Sequence, residues 1–90
     1  MNIIIKRQVK DYDSWKKVVS DYDGLRRQYG SKGAMVYRNA RDPNEVYLVF
    51  EWEDRQSYMN YFNLPEVQKA LADSGTIEVV EVSESFRLEE

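Results

Sequence analysis

Tyr58 and Tyr61 stand three residues apart, the spacing that sets two side chains on one helix face, with Phe62 adjoining them and Trp52 a short way upstream. A phenol joins an apolar body to a hydrogen-bonding tip, so such a face can line a pocket for a small aromatic compound. The plainer account of the same spacing is a stripe of core residues. A tyrosine, with an ordinary pKa of about 10, is also a poor base at neutral pH, and a buried carboxylate would serve better.

The acidic candidates are Glu51, Glu53 and Asp54. A desolvated Glu can act as a base, and a set of carboxylates can hold a hard cation. Glu51 and Glu53, however, share a face at the end of a strand, and Asp54 falls where a helix cap belongs, so the cluster reads as structural and no metal is expected. Arg38 shares strand parity with Val36, and Arg7 with Ile3 and Ile5, which offers a guanidinium to clamp a carboxylate or enolate. Arg26-Arg27 reads as an ordinary solvated pair on a helix. Residue types alone make Tyr58, Tyr61 and Arg38 candidates for a pocket, against the plainer reading in which the aromatic face is core and the arginine tips reach solvent, and no residue is assigned a catalytic role.

Composition narrows the chemistry further. The 90 residues carry 13 basic and 16 acidic side chains, a formal net charge of -3, and neither cysteine nor histidine. Disulfides, thiolate metal sites and Cys nucleophiles are excluded, and the commonest metal ligand and general base is missing, so no cofactor is expected. Lys32-Gly33-Ala34-Met35-Val36-Tyr37 imitates the Lys-Gly-aromatic signature of RNA-recognition domains. It lies on the second strand rather than the third, and the acidic balance gives no footprint for phosphates, so no nucleic acid partner is expected. The start MNIIIKRQVK has three consecutive apolar residues, and no window approaches the roughly 18 of a membrane span. A cytoplasmic protein with no membrane partner is the expectation.

The elements that must hold these residues follow from periodicity. Asn2 to Val9 reads as a strand with β-branched residues on both faces. Ser14 to Tyr29 reads as one helix, with Trp15, Val18, Val19, Tyr22, Leu25 and Tyr29 at helical spacing, Asp13 as its cap and Gly30 as its stop. Lys32 to Arg41 is a second strand, turned by Asp42-Pro43-Asn44 into a third, Glu45 to Glu53, that is again apolar on both faces. Asp54 caps a helix to about Phe62, Pro65 restarts a short one that ends at Ser74-Gly75, and Thr76 to Leu88 is a last strand with Phe86 on one face.

Strand, helix, strand, strand, helix, strand is the split βαβ order of a ferredoxin-like α+β domain, residues 1–90 as a single unit. The expected sheet has four strands and is antiparallel overall, with helices on one face and strands one and three side by side and parallel at its centre. Tyr47, Val49 and either Ile4 or the Ile3/Ile5 set would then face outward, and the simplest cover for them is a second copy packed sheet to sheet. A homodimer is expected.

Val9-Lys10-Asp11-Tyr12-Asp13-Ser14-Trp15-Lys16, the hairpin Arg38 to Val46, and Phe50-Glu51-Trp52-Glu53-Asp54 through Leu64-Pro65-Glu66-Val67 resemble the dimeric α+β barrel proteins of the antibiotic biosynthesis monooxygenase type. The resemblance covers nearly the whole chain and specifies the barrel better than the activity, since relatives include oxygenases, haem degraders and polyketide cyclases. It implies a pocket between helices and sheet, lined here by Trp52, Tyr58 and Tyr61. The position of the haem-ligating His of such relatives falls on Leu71, and with neither His nor Cys in the chain, haem degradation is rejected. Two readings of function remain. One is a cofactor-independent oxygenase or cyclase acting on a small aromatic or polyketide-like compound; the other is a non-catalytic, small-molecule-binding or structural homodimer.

Overall fold

The computed structural model describes residues 1–82 and places its strands in one four-stranded sheet. Its elements are β1 (Asn2–Val9), α1 (Tyr12–Asp21), α2 (Asp23–Gln28), β2 (Ser31–Arg38), β3 (Glu45–Trp52), α3 (Arg55–Phe62), α4 (Pro65–Asp73) and β4 (Thr76–Glu81). The sheet order is β2-β3-β1-β4, which puts the two doubly apolar strands in the middle. β1 and β3 run antiparallel, with Ile3 opposite Phe50 and Ile5 opposite Leu48, and this corrects the expected parallel pair. The helical return after β1 sends β2 along β1's own direction, and the hairpin then reverses β3. The hairpin closes as its residues require: Glu45 N–H donates to the Asp42 carbonyl at 3.0 Å, and Asn44 N–H to Asp42 Oδ1 at 3.0 Å.

The single helix expected over residues 14–29 is two. Tyr22, at φ -95° and ψ 1°, is the joint, and Gly24 follows it where backbone freedom weakens continuation. The cap is Asp11, not Asp13: its carboxylate accepts from both the N–H and the hydroxyl of Ser14. Asp54 caps α3 as expected, accepting from Ser57 N–H at 2.8 Å. Gly30, at φ +113°, makes the turn from α2 into β2, where a Cβ would come within 3.1 Å of Glu53 Oε2. β2 ends at Arg38 rather than Arg41, and the part of the last strand assigned beyond residue 82, Phe86 included, lies outside the described residues.

All four helices lie on one side. Ile3, Ile5 and Val9 of β1 and Val46, Leu48, Phe50 and Trp52 of β3 face them, joined in the core by Trp15, Val19, Tyr58, Tyr61 and Val67. Arg7 follows the same parity as Ile3 and Ile5 and is drawn into that core. The other face carries Ile4, Tyr47 and Val49, half-buried, beside exposed Met35 and Tyr37. Among the described residues no helix is long and apolar enough to cross a membrane.

Candidate functional site

Beneath the helices lies a cavity of about 40 Å³. β1 contributes Arg7 and β3 Phe50; α1 contributes Trp15, Val18 and Val19, the joint Tyr22, and α2 Arg26. Tyr58, Tyr61 and Phe62 come from α3, and Val67, Ala70 and Leu71 from α4. Val18, Tyr22, Ala70 and Leu71 are only partly covered, so the rim of the cavity runs between α1 and α4. Leu71 is thus an apolar wall of the cavity.

The expected site residues separate here. Tyr58 and Tyr61 both line the cavity. Trp52 stands behind them, fully buried, its ring centre 5.7 Å from that of Tyr58 and 5.4 Å from that of Tyr61, and it does not itself line the void. It fixes the tyrosines by packing. Arg38 lies elsewhere: its Nε donates to the Pro43 carbonyl at 2.7 Å, and its guanidinium stacks 3.9 Å from the ring centre of Tyr12. The arginine parity argument is met instead by Arg7. Among the described residues no carboxylate lines the cavity; Glu51 and Glu53 are exposed and Asp54 is occupied as a cap. Among the described residues no group of three or more acidic side chains is placed to hold a metal ion.

The residue that sequence reasoning missed is Arg26. It is 4% exposed, not solvated. Its Nη2 donates to the Val19 carbonyl at 2.7 Å and lies 3.7 Å from Asp23 Oδ1, and its guanidinium sits 5.4 Å from the Phe50 ring centre. The signal was present in the spacing: Trp15, Val19, Tyr22 and Arg26 recur at steps of four, three and four, which puts Arg26 on the buried stripe.

Electrostatics follow from burial. Desolvation brings the Arg7 guanidinium down to about 10, with the Arg26 charge adding to the fall and Tyr58 and Tyr61 opposing it. It stays charged at neutral pH. Desolvation pushes the Tyr58 phenol up to about 12, against the pull of Arg7, and raises Tyr61 as well, against Arg26. Both phenols therefore remain protonated and act as donors rather than bases. A second, wider groove of about 430 Å³ flanks β2, lined by Tyr12, Lys16, Ser20, Asp23, Ala34 and Val36, with Arg26 and Val19 on the boundary between the two. Most of its wall is half-buried or exposed, so it cannot exclude water as the inner cavity does.

A ferredoxin-like α+β domain with an aromatic, doubly cationic cavity between helices and sheet is the class that this geometry defines. Residues 12–73 match the family model described as antibiotic biosynthesis monooxygenase, and the chain belongs to that family. Among solved structures it is similar to SnoaB, a cofactor-independent oxygenase from Streptomyces nogalater, with a TM-score of 0.73, 12% identity, and 99% of this chain and 92% of that one covered. It is also similar to a candidate antibiotic biosynthesis monooxygenase from Bordetella bronchiseptica, with a TM-score of 0.72, 18% identity, and coverage of 89% and 91%. A candidate monooxygenase from Lactobacillus acidophilus matches with a TM-score of 0.69 and 20% identity over 89% of this chain, which spans only 41% of that protein. At these identities the likeness carries the fold alone. No curated protein matches the sequence.

Proposed function

We propose that this chain is a one-domain, homodimeric, cofactor-independent oxygenase of small electron-rich aromatics of the phenolic or polyketide-like kind, with its site in the cavity beneath the helices. The observation that carries this reading is the convergence of Arg7, Arg26, Tyr58 and Tyr61 on one apolar void. Two cations in a desolvated site favour the ionised form of a phenol or anthrone, so the substrate gives its proton to solvent without a protein base. The resulting anion transfers one electron to oxygen, and the substrate radical and superoxide join through a new carbon–oxygen bond. Protonation of that peroxide and loss of water leave a carbonyl, so one oxygen atom stays in the product and the other departs as water. Tyr58 and Tyr61 donate to the developing charge.

A void of about 40 Å³ is smaller than the roughly 150 Å³ that encloses a benzene ring, so the ring is taken at the rim, beside the partly covered Val18, Ala70 and Leu71. The outward face of Ile4, Met35, Tyr37, Tyr47 and Val49 supports assembly of two copies sheet to sheet. The alternative reading, a binding module without catalysis, is favoured by one observation: among the described residues none that lines the cavity is a base.

Oxygen uptake separates the two. Purified protein, incubated with an anthrone or a naphthohydroquinone in the presence of a metal chelator, is expected to consume oxygen and to place one labelled atom from dioxygen in the product. Binding of either compound with no protein-dependent uptake would establish the non-catalytic module instead.

A further inference from the structure

Besides the hydroxyls of Tyr58, Tyr61 and Ser74, the cavity is lined by residues whose unpartnered buried polar atoms are all N–H groups. Arg7 Nε, Arg26 Nε and Trp15 Nε1 are each buried and without a hydrogen-bond partner among the described residues. All three are N–H donors on residues that line the same void. Arg26 has partial compensation through Val19, Asp23 and a hydrogen bond to the Tyr61 phenol, although Asp23 is shared with Arg27 at 2.9 Å. Arg7, 8% exposed, has no ion pair with any acidic residue described. Nearby Glu81 is engaged by Arg55, whose Nη1 donates to its Oε1 at 3.1 Å. A buried charge without a counter-ion is strongly unfavourable, and an unmet buried donor adds its own desolvation cost. Core packing gives no reason to keep it, because a methionine would fill the same length without that cost.

We infer that the cavity selects its ligand as an anion: an aromatic carboxylate, enolate or phenolate whose charged oxygens lie between Arg7 and Arg26 and whose ring lies at the rim formed by α1 and α4. The volume suits this division, for about 40 Å³ admits a charged head and a few atoms beyond it. An acceptor-only group satisfies three donors that no neutral donor-bearing group can satisfy equally well. Trp15 closes one side of the head-group site, and the partly covered Val18, Tyr22, Ala70 and Leu71 give the ring an apolar seat. The inference rests on the cavity as the ligand site, but not on turnover.

Salicylate and salicylamide share a ring and a phenol and differ in charge at neutral pH, so titration calorimetry with this pair isolates the anion. Salicylate is expected to bind saturably, and salicylamide about tenfold or more weakly. Arg7→Met should erase that preference while leaving the melting temperature unchanged or higher, a result that a merely structural arginine would not give. Equal affinity for the two compounds, no binding of salicylate to the wild-type protein, or a preference that survives in Arg7→Met would each overturn the inference. The wild-type comparison decides the matter even where the variant does not fold. Neither compound needs to be oxidised, so a failure of oxygen uptake and a failure of anion selection are read separately.

Discussion

On one side of β3, Val46, Leu48, Phe50 and Trp52 lose nearly all contact with solvent; on the other side of the same strand, Tyr47 and Val49 stay half-buried and Glu51 is exposed. β1 divides likewise, with Ile3 and Ile5 enclosed and Ile4 only half-buried. The two faces arise from the same strands and differ only in what covers them. Each also holds residues that its surroundings do not explain. The covered face encloses Arg7 and Arg26 where an apolar core would be cheaper, and the uncovered face presents Met35, Tyr37, Tyr47 and Val49 where polar residues would dissolve better. For each we propose a complement: a small anion beneath the helices, and a second copy against the bare sheet.

The largest effect should come from the covered face. Trp52→Ala removes a fully buried indole that touches the rings of Phe50, Tyr58 and Tyr61, and should cost about 3–5 kcal/mol in urea unfolding. A loss under about 1 kcal/mol would mean that the aromatic wall is not packed as described. Tyr47→Glu on the bare face should leave the helical circular dichroism intact yet weaken association by about 2 kcal/mol or more, seen as a shift to monomer in light scattering at micromolar protein. If mass is unaffected, that face is not where copies meet.

Tyr58→Phe tests the division of labour within the covered face. Its phenol is protonated and its ring is packed, so the variant should keep its stability but lose about tenfold in oxygen uptake with an anthrone. Unchanged turnover would leave Tyr58 a packing residue. The smallest effect belongs to the caps, outside both faces. Hydrogen bonds from Ser14 hold Asp11 below the ordinary carboxyl value of 3.8, and those from Ser57 do the same for Asp54. A folded value below the unfolded one gives stability that is present above the unfolded value and lost as pH falls through the folded one. Melting temperature should therefore drop below about pH 4, and the Asp11→Ala/Asp54→Ala pair should flatten that drop.

The order of elements was legible because each strand and turn carries a local signal: apolar residues on both faces of β1 and β3 mark the central strands, and Asp42-Pro43-Asn44 marks the hairpin. The break at Tyr22 was not, since apolar periodicity runs through it and the kink is a backbone event at a position where side chains still face the core. Relative strand direction was misjudged because periodicity sets faces, whereas direction follows from how many times the chain reverses between strands. Among the residues that line the cavity, Tyr58 and Tyr61 were readable from their spacing, and Arg7 from parity alone. Arg26 was hidden by its neighbour Arg27: a charged pair looks solvated, although one member completes the Trp15, Val19, Tyr22 stripe and the other pairs with Asp23 at the surface. Arg38 stands apart from the cavity for the opposite reason, because the edge position of β2 lets its side chain turn onto Tyr12 and the hairpin carbonyl.

The difference between the two faces is tested most directly by mapping salicylate on the wild-type protein through amide chemical shifts. Perturbations should concentrate at Val18, Tyr22, Arg26, Tyr58, Ala70 and Leu71, with Met35, Tyr37 and Tyr47 unmoved. Shifts gathered on the bare sheet, with the cavity residues silent, would contradict a working site beneath the helices.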